Sequence, residues 1–196
     1  MSKSEPREID MLAAKKQRRD GMANGMAKVK RAKTLFKTER LAVLQRGKYQ
    51  FVDRRGVTGV VVILAATVRS RLLLIEQFRP AVGKWVIELP AGLVGDEKRH
   101  ETLAQAAHRE LCEETGYAAR KMVHLFNGPS SAGLISEVVS FFRAVDIKRV
   151  TESHGVDGER LIIHERPISS LQRWLRQKTK EGFLIDPRVY AGLFFL

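Results

Sequence analysis

Three glutamates in one predicted helix are the residues whose types and spacing first suggest chemistry. Glu110, Glu113 and Glu114 lie in the segment HETLAQAAHRELCEETGY, residues 100–117. At about 100° per residue, their side chains share an arc of about 100° on one helix face. Like charges repel at this spacing, and the negative C-terminal end of the helix dipole adds to the cost. Either water solvates this face, or a hard divalent cation such as Mg²⁺ binds the clustered oxygens.

The rest of this helix predicts how the glutamates are held. An apolar stripe faces a sheet and comprises Leu103, Ala106, Ala107 and Leu111. Arg109 stands one turn before Glu113, so we expect an ion pair that leaves Glu110 and Glu114 free. The histidines show no paired spacing and Cys112 points away from the acidic face, so the residue types favour Mg²⁺ or Mn²⁺ over zinc.

The elements before the helix read as strands. Residues 35–56 form short strands broken at turns with Gly47 and Gly56. VTGVVVILAAT and RLLLIEQFRP predict a hairpin, and KWVIELPAG predicts a third strand that stops at Pro90. The helix then ends at Gly116, the residue best suited to a left-handed cap.

The elements after the helix alternate irregularly. MVHLFNG and VVSFFRAV predict strands around the loop PSSAGLISE, and LIIHERP predicts another strand. One helix begins at Pro167 and ends at Gly182, and a last helix has Asp186 as N-cap with Pro187 in its first position. These elements predict an α+β fold, a mixed sheet sandwiched by helices, rather than a doubly wound parallel sheet.

Composition bounds the class of protein. The 196 residues suffice for one domain plus a tail, and the net charge is +13. Residues 1–34 hold ten Lys and Arg against four Asp and Glu, which predicts a basic flexible tail. The longest apolar run, residues 59–68, is too short for a membrane span, and no secretory signal is present. With one cysteine, these features favour a cytoplasmic protein without a membrane partner.

The segment GDEKRHETLAQAAHRELCEETGY, residues 95–117, resembles the signature box of the Nudix hydrolases. That box is a Gly, five residues, a Glu, seven residues, and then Arg-Glu-apolar-x-Glu-Glu-x-Gly-apolar. The positions are filled here by Gly95, Glu101, Arg109, Glu110, Leu111, Glu113, Glu114, Gly116 and Tyr117. The resemblance implies a Nudix fold, an α/β/α sandwich.

Flanking segments narrow the resemblance. EQFRPAVGKWVIELPAGLVG is similar to the subgroup that hydrolyses ADP-ribose and related nucleoside diphosphate sugars, and SSAGLISE is similar to its loop with a further catalytic glutamate, here Glu137. This sequence departs from the pattern of that subgroup at two places. Gly92 has the local context of the box glycine while Gly95 satisfies the count, and Ala132-Gly133 replaces the Pro-Gly of many relatives.

The resemblance also implies roles for individual residues. Glu110, Glu113, Glu114 and the Ala91 carbonyl would bind Mg²⁺, with Mn²⁺ as an alternative. Glu137 would be the general base, and Glu101 would position Arg109 or a metal-bound water. On the substrate side we expect Arg79, Glu88 and the aromatic ring of Phe51, although Arg79 could instead form a structural ion pair with Glu88.

The implied organisation is a tail at 1–34, a dimer-forming strand region at 35–56 and a hydrolase domain at 57–196. A homodimer would bring residues from the strand region to the partner's site. The expected reaction converts a nucleoside diphosphate sugar to a nucleoside monophosphate and a sugar phosphate. Alternatives are hydrolysis of another nucleotide or an RNA 5′ end, suggested by the basic tail, and a catalytically silent nucleotide-binding module. The ELPAG segment argues against an RNA substrate, so nucleic acid is not the expected partner. The intact glutamates argue against a catalytically silent module.

Overall fold

A computed structural model of the chain describes residues 31–96, 100–151 and 161–196. Most of the predicted tail, residues 1–30, lies outside the described residues, as do residues 97–99 of the longer turn before Glu101 and residues 152–160. The described part forms eleven strands and three α-helices, and the strands are arranged in three sheets. The predicted α+β class is confirmed.

An N-terminal antiparallel sheet contains β1 (Lys33–Lys37), β2 (Leu41–Arg46) and β3 (Tyr49–Arg54) in sequence order. The predicted turn at Gly47 separates β2 from β3, and its φ of +60° is the left-handed conformation that glycine adopts without strain. The first strand begins at Lys33, slightly before the predicted residue 35.

The central sheet has the order β7-β4-β9-β8. Its strands are β4 (Gly59–Ala65), β7 (Ala91–Val94), β8 (Tyr117–Pro129) and β9 (Val138–Arg149). β4 and β9 run parallel, whereas β4–β7 and β8–β9 are antiparallel pairs. From Val60 onwards β4 is buried on both faces, which explains its continuous apolar sequence.

The remaining sheet has the order β10-β5-β6-β11. Its strands are β5 (Arg71–Arg79), β6 (Lys84–Glu88), β10 (Ile162–Pro167) and β11 (Leu184–Ile185). The predicted hairpin between β4 and β5 is wrong, because these strands belong to different sheets. An isolated antiparallel bridge joins Ala66, just after β4, to Leu72. Both strands are apolar on both faces, so each needs covering layers that a simple hairpin does not provide.

The predicted third strand stops before Pro90, as expected, and the residues after Pro90 begin a separate strand. β6 ends at Glu88, and β7 begins at Ala91 in the central sheet. Between them the Pro90 carbonyl accepts a hydrogen bond from the Ile63 amide at 2.8 Å. The chain therefore crosses from one sheet to the other at Leu89–Pro90, which places Glu88 and Ala91 on either side of the crossing.

The helix α1 (Leu103–Thr115) covers one face of the central sheet. Thr102 caps its start through a capping box with Gln105, and Gly116 ends it at φ 73°, as predicted. Ala106, Ala107 and Leu111 are fully buried, whereas Leu103 stays 36% exposed at the edge of the stripe.

The other face of the central sheet packs against α2 (Leu171–Lys180) and α3 (Pro187–Leu193). A turn of 3₁₀ helix, Ile168–Ser170, precedes α2, so the predicted helix start at Pro167 is four residues early for the α-helix. The predicted cap of α3 is confirmed, because the Asp186 carboxylate accepts from the Arg188 amide at 2.7 Å. Among the described residues, no helix is both long and apolar enough to cross a bilayer.

Candidate active site

Arg109 connects the acidic face of α1 to the strand beside it. Its guanidinium lies 3.0 Å from Glu101 and donates at 3.0 Å to the Leu93 carbonyl on β7. It also lies 2.9 Å from both Glu110 and Glu113. The expected ion pair with Glu113 is therefore present, but the expectation that Arg109 leaves Glu110 free is wrong. A single nitrogen of the guanidinium, Nη1, donates to both glutamates.

Arg109 is held firmly as a cation. Its side chain is only 9% exposed, and Asp96 lies 3.8 Å away. The hydrogen bond to Glu101 is the main reason that the pKa of Arg109 is raised, and burial opposes it. Glu101 thus contacts Arg109 directly, as one of the two roles implied for it requires.

Glu110 and Glu114 are buried on the same face of α1, with residue exposures of 7% and 9%. Burial raises the pKa of Glu110 to about 7, although the neighbouring Arg109 opposes this shift. Burial also raises the pKa of Glu114 to about 8, opposed by a hydrogen bond from the Ala91 amide at 3.0 Å. Two carboxylates held this way would gain from a counter-charge, because burial penalises their charged forms.

Gly92 on β7 explains how Glu110 reaches the strand. A Cβ at this position would lie 1.8 Å from Cδ and 2.0 Å from Oε1 of Glu110, so any side chain here would force the Glu110 carboxylate to move. Gly95 serves a different purpose, because its φ of +82° is a conformation that other residues rarely adopt. Gly92 and Gly95 were alternative candidates for the glycine position of the box. Each has its own structural reason to be glycine: Gly92 gives space to Glu110, and Gly95 has a positive φ.

The donor chemistry of this face fits a divalent cation. Glu110, Glu113 and Glu114 offer carboxylate oxygens, the ligands that Mg²⁺ and Mn²⁺ prefer. A dication would offset the charge that burial penalises at Glu110 and Glu114. Within the described ranges, no three His, Cys, Asp or Glu side chains are already arranged around a common point. The carboxylates would therefore need to adjust on binding, and a backbone carbonyl or water would complete the ligand set.

A cleft of about 530 Å³ opens beside Gly92. Its walls include four of the nine predicted site residues: Arg79, Glu88, Ala91 and Glu137. Arg109, Phe51 and the three glutamates of α1 do not line it. The charges of Arg79 and Glu88 act on the pKa of Glu114 in opposite directions, Arg79 lowering it and Glu88 raising it.

Arg79 and Glu88 form the ion pair that was the alternative to a substrate role. Arg79 Nε lies 3.0 Å from Glu88 Oε1, and its Nη2 contacts Oε2. Gln77 also donates to Glu88 at 3.0 Å. The Arg79 side chain is nevertheless 40% exposed, so part of its guanidinium faces the cleft.

Phe51 is not brought to the cleft of its own chain. It lies on β3, where the guanidinium of Arg46 sits 5.3 Å from its ring centre. It does not line the cleft, and Tyr49 on the same strand is 68% exposed. A stacking role for Phe51 would therefore require a second chain.

Sequence reasoning missed three charged residues of the cleft wall. Arg54 on β3 pairs with Glu137 at 3.0 Å, and Arg188 at the start of α3 pairs with Asp186. Arg188, Asp186 and Glu137 also line a neighbouring cavity of about 410 Å³. The cap sequence Asp-Pro-Arg was a usable signal for Arg188, whereas nothing in the local sequence distinguishes Arg54.

Comparison with known proteins identifies the family. The NUDIX domain model matches residues 53–177, which is more than half of the chain. The chain belongs to the Nudix family. The match contains α1, the cleft residues on β5 to β7 and Glu137, but ends before α3.

Relatives with assigned names share part of this Nudix chain. An ADP-ribose pyrophosphatase of Bacillus subtilis is 31% identical over 53% of the chain and 55% of that protein. A GDP-mannose pyrophosphatase of Klebsiella pneumoniae is 34% identical over 77% of the chain and 75% of that protein. A methanol dehydrogenase activator of Bacillus methanolicus is 26% identical over 61% of the chain and 64% of that protein. The chain thus matches less than two thirds of the length of the first and third of these relatives.

A solved structure shares the fold. The crystal structure of an ADP compounds hydrolase superposes with a TM-score of 0.55 at 21% identity, covering 73% of this chain and 80% of the other. At this identity the likeness supports the Nudix fold.

The contact between Gly92 and Glu110 generates a first prediction. Gly92→Ala should displace the Glu110 carboxylate and weaken Mn²⁺ binding by about 10- to 100-fold, the usual effect of disturbing a metal's supporting contacts. Titration calorimetry measures the affinity, and circular dichroism checks that helix content is kept. Gly133→Ala is the matched control, because a Cβ there meets nothing within 4 Å. Unchanged Mn²⁺ affinity in the Gly92 variant would contradict the prediction.

The raised pKa of Glu114 generates a second prediction. The pKa of Glu114 is about 8 in the folded protein against an ordinary value of 4.5, so its contribution to the free energy of unfolding is complete below about pH 4.5 and is lost as the pH rises through about 8. Glu114→Gln keeps the shape without the charge. In EDTA the variant should therefore have a higher Tm than the parent at pH 8 and a similar Tm at pH 5.

Thermal unfolding at the two pH values measures this difference. Glu181→Gln is the control, because that side chain is 42% exposed and lies at the end of α2. A Glu114→Gln protein that is less stable than its parent at pH 8 would refute the electrostatic account.

Proposed function

We propose that the chain is a metal-dependent pyrophosphohydrolase acting on ADP-ribose or a related nucleoside diphosphate sugar. The products would be a nucleoside monophosphate and a sugar phosphate. One observation carries the proposal: the buried carboxylate of Glu110 packs directly against Gly92, which lines the cleft that also holds Arg79 and Glu137. The names of the Bacillus subtilis and Klebsiella pneumoniae relatives support the substrate class.

The acidic face supplies the cation site in this proposal. Glu110, Glu113, Glu114 and the carbonyl of Ala91 would hold Mg²⁺ or Mn²⁺, and the bound cation would supply positive charge for the phosphate oxygens and a more acidic water. Glu113 is the most accessible of the three glutamates, with a side chain 34% exposed, and Arg109 orients it. Arg109 thereby contributes to catalysis by fixing the carboxylates.

The cleft residues handle the substrate and the proton. Arg79 would exchange its contact with Glu88 for the diphosphate, since a guanidinium matches two phosphate oxygens at once. Glu137 would accept a proton from the attacking water. As the new P–O bond forms, the bridging P–O bond breaks and the leaving phosphate departs with its electron pair.

Turnover of defined substrates tests this function. With Mg²⁺, ADP-ribose should yield AMP and ribose 5-phosphate, and chromatography measures both products. Addition of EDTA should stop the reaction. Glu114→Gln should reduce the rate to below about one hundredth, because the cation site is disturbed. Glu181→Gln should retain the parental rate, because Glu181 lies outside the cleft lining.

A panel extends the test to ADP-glucose, GDP-mannose, dinucleoside polyphosphates and oxidised dGTP. Cleavage of 5′-triphosphate RNA with no turnover of any sugar diphosphate would replace the proposed substrate class. Nucleotide binding without turnover of any compound would make the chain a binding module.

We also propose that residues 35–56 form a homodimer interface, next to a basic tail at 1–34 and a hydrolase domain at 57–196. The apolar residues that support this lie on the N-terminal sheet: Leu35, Phe36, Leu41 and Tyr49 are each more than 40% exposed. A second copy would cover this apolar surface and bring Phe51 towards the partner's cleft. The single cysteine supports a cytoplasmic location.

The dimer generates its own prediction. Phe36→Asp introduces a charge on the exposed face of β1 and should convert a dimer to a monomer in light scattering after size exclusion. Val68→Asp is the control, because Val68 is 88% exposed and lies outside this sheet. A parent protein that is monomeric at micromolar concentration would disprove the interface.

A further inference from the structure

The segment that carries Glu137 is fastened to the N-terminal sheet. Residues 130–137 connect β8 to β9, and two backbone hydrogen bonds tie the segment to Val52 on β3. The Val52 amide donates to the Leu134 carbonyl at 2.7 Å, and the Ser136 amide donates to the Val52 carbonyl at 2.9 Å. The Ser136 hydroxyl also donates to the Asp53 carboxylate. The N-terminal sheet thus contacts the cleft through the segment that bears the proposed general base.

Internal restraints on this segment are weak. The hydrogen bond that closes it, from the Ser130 amide to the Glu137 carbonyl, is long at 3.4 Å. Gly133 lies in open space, with no atom within 4 Å of a Cβ position. Bonds to the Ser131 carbonyl form a local turn, which does not orient Glu137. The contacts with β3 therefore provide much of the positioning.

Arg54 extends these contacts to the carboxylate itself. Its Nε lies 3.0 Å from Glu137 Oε2, with side-chain exposures of 37% for Arg54 and 12% for Glu137. Both residues line the 530 Å³ cleft. A glutamate has three rotatable side-chain bonds, so a directional charged hydrogen bond selects one of many orientations.

We propose that Arg54 is a positioning residue through which the N-terminal sheet orients the carboxylate of Glu137 in the cleft. This inference rests on the proposed function for its catalytic consequence, while the contact with the segment 130–137 is independent of it. Arg54 acts through Glu137 and does not contribute binding energy for the substrate. The N-terminal sheet therefore has a role in the proton-transfer step of its own chain, besides the proposed dimer contact.

Kinetics distinguish positioning from direct substrate contact. Arg54→Met should lower kcat by about 10- to 100-fold, the effect expected when a reacting group is misplaced, and leave KM within about threefold. Arg54→Lys keeps the charge and should recover much of kcat. Arg40→Met is the matched control, because it removes an exposed cation from the turn between β1 and β2.

A double-mutant cycle locates the effect. If Arg54 acts through Glu137, then Arg54→Met should cause no further loss of kcat in a Glu137→Gln background. A rise in KM that persists in that background would show direct substrate contact and overturn the inference. Equal kcat for Arg54→Met and parent would overturn it as well.

Hydrogen exchange provides a readout that does not depend on the substrate. Peptides covering 130–137 should exchange faster in Arg54→Met than in the parent or in Arg40→Met, while α1 peptides stay unchanged. Faster exchange without turnover of any panel compound would support the link and refute the proposed function. Turnover in the parent combined with unchanged exchange and kcat in Arg54→Met would refute the link alone.

Discussion

The guanidinium of Arg109 is the constraint on which the acidic site depends. It joins three parts of the chain: the Leu93 carbonyl on β7, Glu101 just before α1, and Glu110 with Glu113 on the helix. A single positive charge cannot neutralise these carboxylates, so the cluster keeps a net negative charge while its geometry is fixed. Removing one partner of a buried charge network commonly costs about 3–5 kcal/mol. The contacts of Arg109 thus hold α1 against β7 and leave a net negative charge that favours binding of a cation.

The close approach of α1 to β7 depends on Gly92, which has no side chain. Gly92 leaves room for the Glu110 carboxylate against the strand, and the Ala91 amide donates to Glu114 one residue earlier. Both contacts exist because the chain crosses between two sheets at Leu89–Pro90 and starts a new strand beside the helix. The site therefore lies where the chain passes from the sheet with β6 to the sheet with β7. The glutamates of α1 lie beside β7, and the Arg79–Glu88 pair lies on β5 and β6.

Local patterns predicted part of this arrangement well. The spacing of the glutamates and Gly116 placed the acids on one helix face, and Asp186-Pro187 predicted the start of α3. Pairing between strands was less accessible: β4 and β5 are apolar on both faces, so periodicity could not show that they belong to different sheets. The contact of Arg109 with Glu110 depends on a side-chain conformation, which spacing does not determine. Arg54 is one of 35 Lys and Arg residues, and only the fold singles it out.

The position of β11 beside β6 has a consequence for biosynthesis. Leu184 and Ile185 pair in parallel with Val86 and Ile87, and Asp186 and Arg188 follow them on the cleft wall. Contacts between segments this far apart in the chain carry a loop-closure entropy cost, because the elements from β7 to α2 lie between them. A ribosome-bound chain that has completed α1 already carries the glutamates but lacks one wall of the cleft. The cleft is therefore complete only after α3 has left the ribosome. Until then, the growing chain contains the glutamates of α1 but not the full cleft.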